Sequence, residues 1–340
     1  MMPGRHPASF QAPPGLANRH VQTLLPRLLG CPSLELVREE LPLPDGDVVE
    51  LAWVAPAPTA ASAPVFVLFH GLEGSVDSPY ARHLLEAAHR QGCRALVMHF
   101  RGCGRRPNRR PRAYHSGDTA DAHWLLTRLA RRYPRAPRVA CGVSLGANML
   151  LKLPAEDADE AAGLVGAIAI APPVDLAGCA DTLNRGFARL YQRHLLASLK
   201  AKMAPRLAAG ELPLALSPAA LSGLATLRDY DDAVTAPLHG FADAADYYRR
   251  ASAGPRLAEL DLPTLILHAE DDPFMPPGMY DALSLGPGVR LETAPHGGHV
   301  GFVEGRRGRL GHWLPRRVVQ QLDAWRTSLW PTSPRLASPD

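Results

Sequence analysis

The stretch VACGVSLGANMLLK, Val139 to Lys152, sets a serine between two glycines where an apolar run gives way to a helical pattern. Arg138 to Cys141 suits a buried strand, and the residues from Ala147 suit the first turns of a helix. Gly142, Ser144 and Gly146 at that corner are unfavourable unless the backbone must bend sharply there. A strained turn that lifts one hydroxyl off the backbone is the G-x-S-x-G nucleophile elbow. An ordinary glycine-rich strand-to-helix turn carries the same five letters, so the rest of the chain decides between the two.

Outward from the corner, strand and helix patterns alternate. LELVREELPLPDGDVVELAWV reads as two strands joined at PDGD, an antiparallel hairpin. APVFVLFHG, CRALVMHF, RVACGVS, GLVGAIAIAPP, PTLILHAEDD and RLETAPHGG read as further strands, the most apolar of them suited to cover on both faces. YARHLLEAAHRQG, DTADAHWLLTRLARRYP, LGANMLLKLP and WLPRRVVQQLDAWRTSLW read as helices. Such alternation with short connections predicts a mainly parallel sheet with helices on both faces. Residues 176–255 break the pattern, because helical segments follow one another there without a strand. That insert cannot join the sheet and is expected to cover the end carrying the elbow, as a lid; a small separate helical subdomain is the alternative. Residues 1–16, rich in Pro and Gly, are expected to be a flexible segment. Residues 17–330 are expected to form a single domain, and 331–340 a disordered tail.

Composition narrows the function classes. The 340 residues are 46% hydrophobic and 21% charged, which allows a sizeable core. A net charge of +4 does not argue for nucleic acid. The densest basic run, RGCGRRPNRRPR from Arg101 to Arg112, lacks interleaved aromatics for stacking bases and reads as a solvated loop. Five scattered cysteines, without a C-x-x-C, argue against a disulfide framework or a zinc site and suit a reducing compartment. The N-terminus has no secretory apolar core, and no run reaches membrane-spanning length. The expectation is a soluble, cytoplasmic protein with no metal, no cofactor and no nucleic-acid partner. No feature of the sequence sets an oligomeric state.

A serine hydroxyl is a weak nucleophile without a base, an acid to orient that base, and donors for the oxyanion. In this sheet type active groups lie beyond the C-terminal ends of strands. LILHAEDDPFMP ends a strand in Glu270, Asp271 and Asp272. Asp272, just before Pro273, is the first candidate for the acid. Asp271 is the alternative, since a one-residue shift reverses side-chain direction. TAPHGGHVGF follows the last strand and supplies His299 as base, with His296 as fallback. His268 falls within a strand and reads as structural. The order Ser–Asp–His is that of α/β-hydrolases. LFHGLEGS follows an early strand, and its His-Gly resembles an esterase oxyanion loop. The backbone N–H groups of Leu72 and Leu145 are the expected oxyanion donors. His70 is expected to hold that loop by hydrogen bonds. His296 and His299 lack a third ligand at a motif position, and no Rossmann or Walker A pattern occurs.

The motifs ANRHVQTLLP, HGLEGSVDSPY, HFRGCG, PNRRPRAYHSGDTAD, GVSLGANMLLK, EDDPFMP and PHGGHVGF together resemble the YheT-like branch of the α/β-hydrolases, from about Ala17 to Trp325. That branch includes bacterial proteins assigned as esterases and eukaryotic relatives acting on lipid or medium-chain acyl esters. The resemblance implies an α/β-hydrolase fold with Ser144 as nucleophile, Asp272 as acid and His299 as base. The chain departs from the family pattern at Ala147, where a second glycine is frequent, and at Gly104–Arg105–Arg106, where a Ser-Gly-Glu-like stretch is usual. The expected function is hydrolysis of a short- or medium-chain acyl ester through an acyl-enzyme. Acyl transfer by the same triad, or a binding member of the fold without chemistry, are the alternatives.

Overall fold

A computed structural model describes residues 4–156, 163–306, 308–328 and 330. Nine strands form one sheet: β1 (Arg5–Pro7), β2 (Leu36–Pro42), β3 (Val48–Val54), β4 (Val65–Phe69), β5 (Arg94–Met98), β6 (Arg138–Val143), β7 (Leu164–Ile170), β8 (Thr264–Ala269) and β9 (Val289–Ala294). Their order is β1-β9-β8-β7-β6-β4-β5-β3-β2. The hairpin β2–β3 is antiparallel and joins β5 antiparallel, while β4 to β9 run parallel. This is the mainly parallel sheet expected from the alternating pattern, with the antiparallel hairpin at one edge, and it agrees with the fold that the resemblance implies.

The central strands are apolar on both sides because both sides are covered. Along β4, Phe66 and Leu68 face a layer formed by α2 (Pro79–Arg90) and the closing helix, Trp313–Ser328. Val65, Val67 and Phe69 face the opposite layer of α3 (Ala120–Arg132) and α4 (Leu145–Glu156). Each such side chain, fully withdrawn from water, contributes on the order of 1.5–3 kcal/mol.

Between β7 and β8 lie helices only: α5 (Leu176–Leu183), α6 (Ala188–Ala208), α7 (Pro218–Gly223), α8 (Leu227–Tyr230), α9 (Ala236–His239) and α10 (Ala244–Ala251). Side-chain caps start several of them: Asp175 for α5, Ser217 for α7, Thr226 for α8 and Asp243 for α10. The closing helix α11 follows a small hairpin, β10 (Val303–Arg306) with β11 (Arg309–His312), which the sequence reading missed.

Two expectations need correction. The N-terminal segment is tied down within its described part. β1 extends the sheet parallel to β9, and Phe10 is buried edge-on against Phe302 and Trp313. Proline and glycine disfavour regular structure here, but the edge pairing, the aromatic anchor and the bonds of Arg5 to the Tyr280 and Leu283 carbonyls hold the segment on the sheet. Residues 1–3 and 331–340 lie outside the described residues. The basic run Arg101–Arg112 is not wholly solvated either. Arg101 is buried and bonds to Asp121, Asp45 and Asp47. Arg112 pairs with Asp118 at 2.7 Å. Arg105 and Arg106 do face solvent, paired with Glu50 and Glu40.

Candidate active site

Strand β6 runs into the corner and α4 leaves it, with Ser144 between them at φ +52°. A left-handed conformation is strained for a residue with a Cβ and persists only where its surroundings fix it. Here the Ser144 N–H donates to Ile170 O at 2.8 Å, and its carbonyl accepts from Ala147 and Asn148 as α4 begins. The flanking glycines are steric requirements. A Cβ on Gly142 would stand 2.4 Å from Gly146 O, and one on Gly146 would stand 2.5 Å from Phe69 O and His70 O. Ala147, where the family often has glycine, is buried beside Leu151 and Ala169.

The structure brings Ser144, His299 and Asp272 into one hydrogen-bonded line. His299 Nε2 is 3.0 Å from Ser144 Oγ, and His299 Nδ1 is 2.8 Å from Asp272 Oδ2. Asp272 is buried, and its other oxygen accepts the Phe274 N–H at 2.8 Å. Phe274 lies flat on the His299 ring at 4.0 Å. The acidic pair divides its work by alternation. Asp271 points the other way, accepts the Gly298 N–H at 3.0 Å, and has the exposed His296 ring 3.5 Å away. It therefore braces the histidine loop without touching His299. His268 is buried in β8 beside Tyr280.

Sequence reasoning missed what holds the histidine loop from outside. Helix α1 (Arg19–Leu24), capped by Asn18, packs against it. The His299 N–H donates to Thr23 Oγ1 at 2.9 Å. Buried Gln22 bridges the Leu16 and Val303 carbonyls and accepts the Val303 N–H. Val300 and Phe302 both take positive φ, so the loop is strained as well as braced. The motif ANRHVQTLLP held these residues, but nothing in it points to a loop some 280 positions away.

The loop after β4 faces the elbow; a Cβ on Gly71 would lie 3.3 Å from Ser144 Cβ. His70 is buried, its Nδ1 donating to Gly71 O at 2.7 Å and its Nε2 accepting the Phe100 N–H at 3.1 Å. Burial pushes its pKa down to about 3, so the ring is neutral and acts as a brace, as expected. The Tyr80 hydroxyl takes the Gly71 N–H and the Tyr114 hydroxyl takes the Glu73 N–H, both at 2.8 Å. Among the described residues the Leu72 and Leu145 amides carry no such bond. Glu73, at φ +56°, also binds the insert. Its carboxylate accepts from Tyr114, from Ser198 at 2.6 Å and from Lys202 at 2.9 Å, the last two on α6.

These groups open on a cavity of about 1010 Å³. Its insert-side wall includes Leu176, Leu183, Leu195, Leu199, Met203 and Val234. Asp231 also lines it, held by Thr235 and Tyr248, and burial raises its pKa to about 6. Among the described residues His115, Asp118 and His239 bring ligand-type atoms within 4.8 Å of one another. Arg112 already engages Asp118, so a dication there would face a guanidinium left without its counter-charge.

This sheet, elbow and loop arrangement defines an α/β-hydrolase. Residues 64–306 match the family model described as "alpha/beta hydrolase fold", and the chain belongs to that family. Within it the chain belongs to the YheT-like branch. It is 45% identical over 322 residues to the protein of Escherichia coli (strain K12) named "Putative esterase YheT", covering 94% of each chain. "Phospholipase ABHD3" of Mus musculus is 28% identical over 314 residues, covering 89% of this chain and 75% of that one. The solved Pyrococcus furiosus esterase Pf2001 superposes with a TM-score of 0.54 at 15% identity, over 96% of this chain and 99% of that one. That last likeness speaks to the fold alone. No helix among the described residues is long and apolar enough to cross a membrane.

Proposed function

We propose that the protein is a serine esterase that hydrolyses carboxylic esters of short or medium acyl chains through an acyl-enzyme on Ser144. The observation that carries this reading is the line Ser144 Oγ–His299–Asp272, with contacts of 3.0 and 2.8 Å. Ser144 Oγ attacks the ester carbonyl while His299 Nε2 takes its proton. Asp272, receiving the Nδ1–H, fixes the tautomer and stabilises the imidazolium. The Leu72 and Leu145 amides donate to the developing oxyanion, and His299 then protonates the leaving alcohol. Water, activated by the same imidazole, releases the acid. The apolar wall contributed by α5 and α6 suits the acyl chain.

A panel of p-nitrophenyl esters of increasing chain length tests this, with wild type and Ser144→Ala. Turnover by wild type that Ser144→Ala abolishes is the expected result; a fully active Ser144→Ala protein refutes the assignment. Acyl transfer to an alcohol would use the same intermediate, and product analysis with added alcohol separates it from hydrolysis.

A further inference from the structure

Beside the cavity mouth, two elements carry large apolar side chains that the described residues leave partly or largely exposed. On α1 and the turn after it these are Val21, Leu24 and Leu28, the last 83% exposed. Val21 and Leu24 are three apart on α1 and share a face, and Leu28 follows the turn. At the start of α6 they are Phe187 and Leu190, each about half exposed. The two groups are neighbours: the His20 ring of α1 lies tilted against Phe187 at 4.3 Å and hydrogen-bonds Tyr191 at 3.2 Å. Leu24 and Arg27 on one side, and Tyr191 and His194 on the other, belong to the cavity wall. The apolar patch is therefore the lip of the candidate site. Patches of this kind on a protein surface mark a contact with something else.

Charge selects what that is. Arg189 and Arg193 lie one turn apart on α6 with Arg185 just before it, Arg19 opens α1 and Arg27 follows it; all five are exposed. None of the five forms an ion pair among the described residues. Residues 17–34 and 182–210 contain no Asp or Glu at all. A second copy of this chain seated symmetrically on the patch would bring arginines against arginines, which opposes self-association. An anionic bilayer offers what the patch lacks: phosphate charge for the guanidinium groups and a hydrocarbon boundary for Leu28, Phe187 and Leu190.

We propose that the face formed by α1, its following turn and the start of α6 docks on an anionic phospholipid bilayer, setting the cavity mouth against the lipid surface. The apolar residues enter the headgroup boundary and the arginines lie among the phosphates. Docking of this kind does not depend on the esterase reading, because it is read as binding. Under that reading it also identifies the substrate source, since an acyl ester would pass from the bilayer into the cavity without crossing water.

The test is co-sedimentation of the full chain with vesicles of phosphatidylcholine alone, and with about one third phosphatidylglycerol. Wild type should partition to the anionic vesicles and much less to the neutral ones. Binding should weaken at high salt, as screening of surface charge requires. Each arginine replaced by glutamine among Arg185, Arg189 and Arg193 should lower partitioning by about fivefold. Leu28→Asp and Phe187→Asp should abolish it. Val37→Asp, at an exposed apolar residue on strand β2 at the far edge of the sheet, should bind like wild type. Wild type that ignores anionic vesicles overturns the proposal. So does binding that survives Leu28→Asp and Phe187→Asp, or a dimer in sedimentation velocity that Leu28→Asp dissociates.

Discussion

The sheet and the helical insert meet over the same cavity and are built on different terms. The sheet rim holds its groups mainly through backbone groups. Ser144 sits on a corner that tolerates no Cβ at Gly142 or Gly146, Asp272 after β8 accepts the Phe274 N–H, and the His299 N–H after β9 donates to Thr23. The insert holds its place largely by side chains. Ser198 and Lys202 reach Glu73, Asn148 reaches Ala251 and Ala253 at the end of α10, and Tyr191 leans on Phe274 at 5.0 Å. A backbone-built rim can hold reacting atoms to fractions of an ångström, whereas a side-chain-attached insert can change shape around its ligand. The comparison predicts that substitutions at the rim act on kcat and substitutions in the insert act on selectivity.

The largest effect is expected for Ser144→Ala, about 10⁴- to 10⁶-fold in kcat with an intact melting transition. Next, Asp272→Asn should cost about 10²- to 10⁴-fold in kcat by releasing the imidazole tautomer. Asp271→Asn, which only loosens the Gly298 contact, should cost far less; equal losses at the two positions would break the division of labour read from the geometry. Glu73→Ala removes the link between α6 and the loop after β4. It should lower kcat about 10- to 100-fold with KM little changed, as expected when a donor is displaced without loss of binding. Within the insert, Met203→Trp narrows the cavity and should lower kcat/KM for long acyl esters about tenfold relative to short ones, read from the ester panel.

The smallest effect concerns Asp231. Its folded pKa is raised to about 6, so the native state holds this proton more firmly than the unfolded chain does. Its carboxyl then contributes a destabilisation that is absent at acid pH and grows as pH rises through about 4 to 6. Melting curves of Asp231→Asn and wild type should converge near pH 4 and separate by a few degrees at pH 7, with the variant higher. A separation that grows on acidification instead would reverse the sign and contradict the burial argument.

Where local pattern fixes structure, the sequence was legible. Continuous apolar runs marked β4 to β8, glycine spacing marked the elbow, and strand-end positions singled out Asp272 and His299 as candidates. The choice between Asp271 and Asp272 rested on side-chain direction, which a single residue of register reverses. What stayed hidden depends on distant partners. Thr23 and Gln22 read as ordinary residues of a short helix until the histidine loop lies on them. Glu73 reads as a loop charge until α6 brings Ser198 and Lys202 to it. β1 is too short to announce itself and exists because β9 offers it an edge.

The most direct test of the central claim is to trap the acyl-enzyme. The protein is mixed with a slowly deacylated p-nitrophenyl ester, quenched in acid, digested and mapped by mass spectrometry. The account predicts one acyl group on the peptide containing Ser144, absent from Ser144→Ala and depleted in Asp272→Asn. An acyl group on another residue, or ester turnover with no adduct at Ser144, would contradict it.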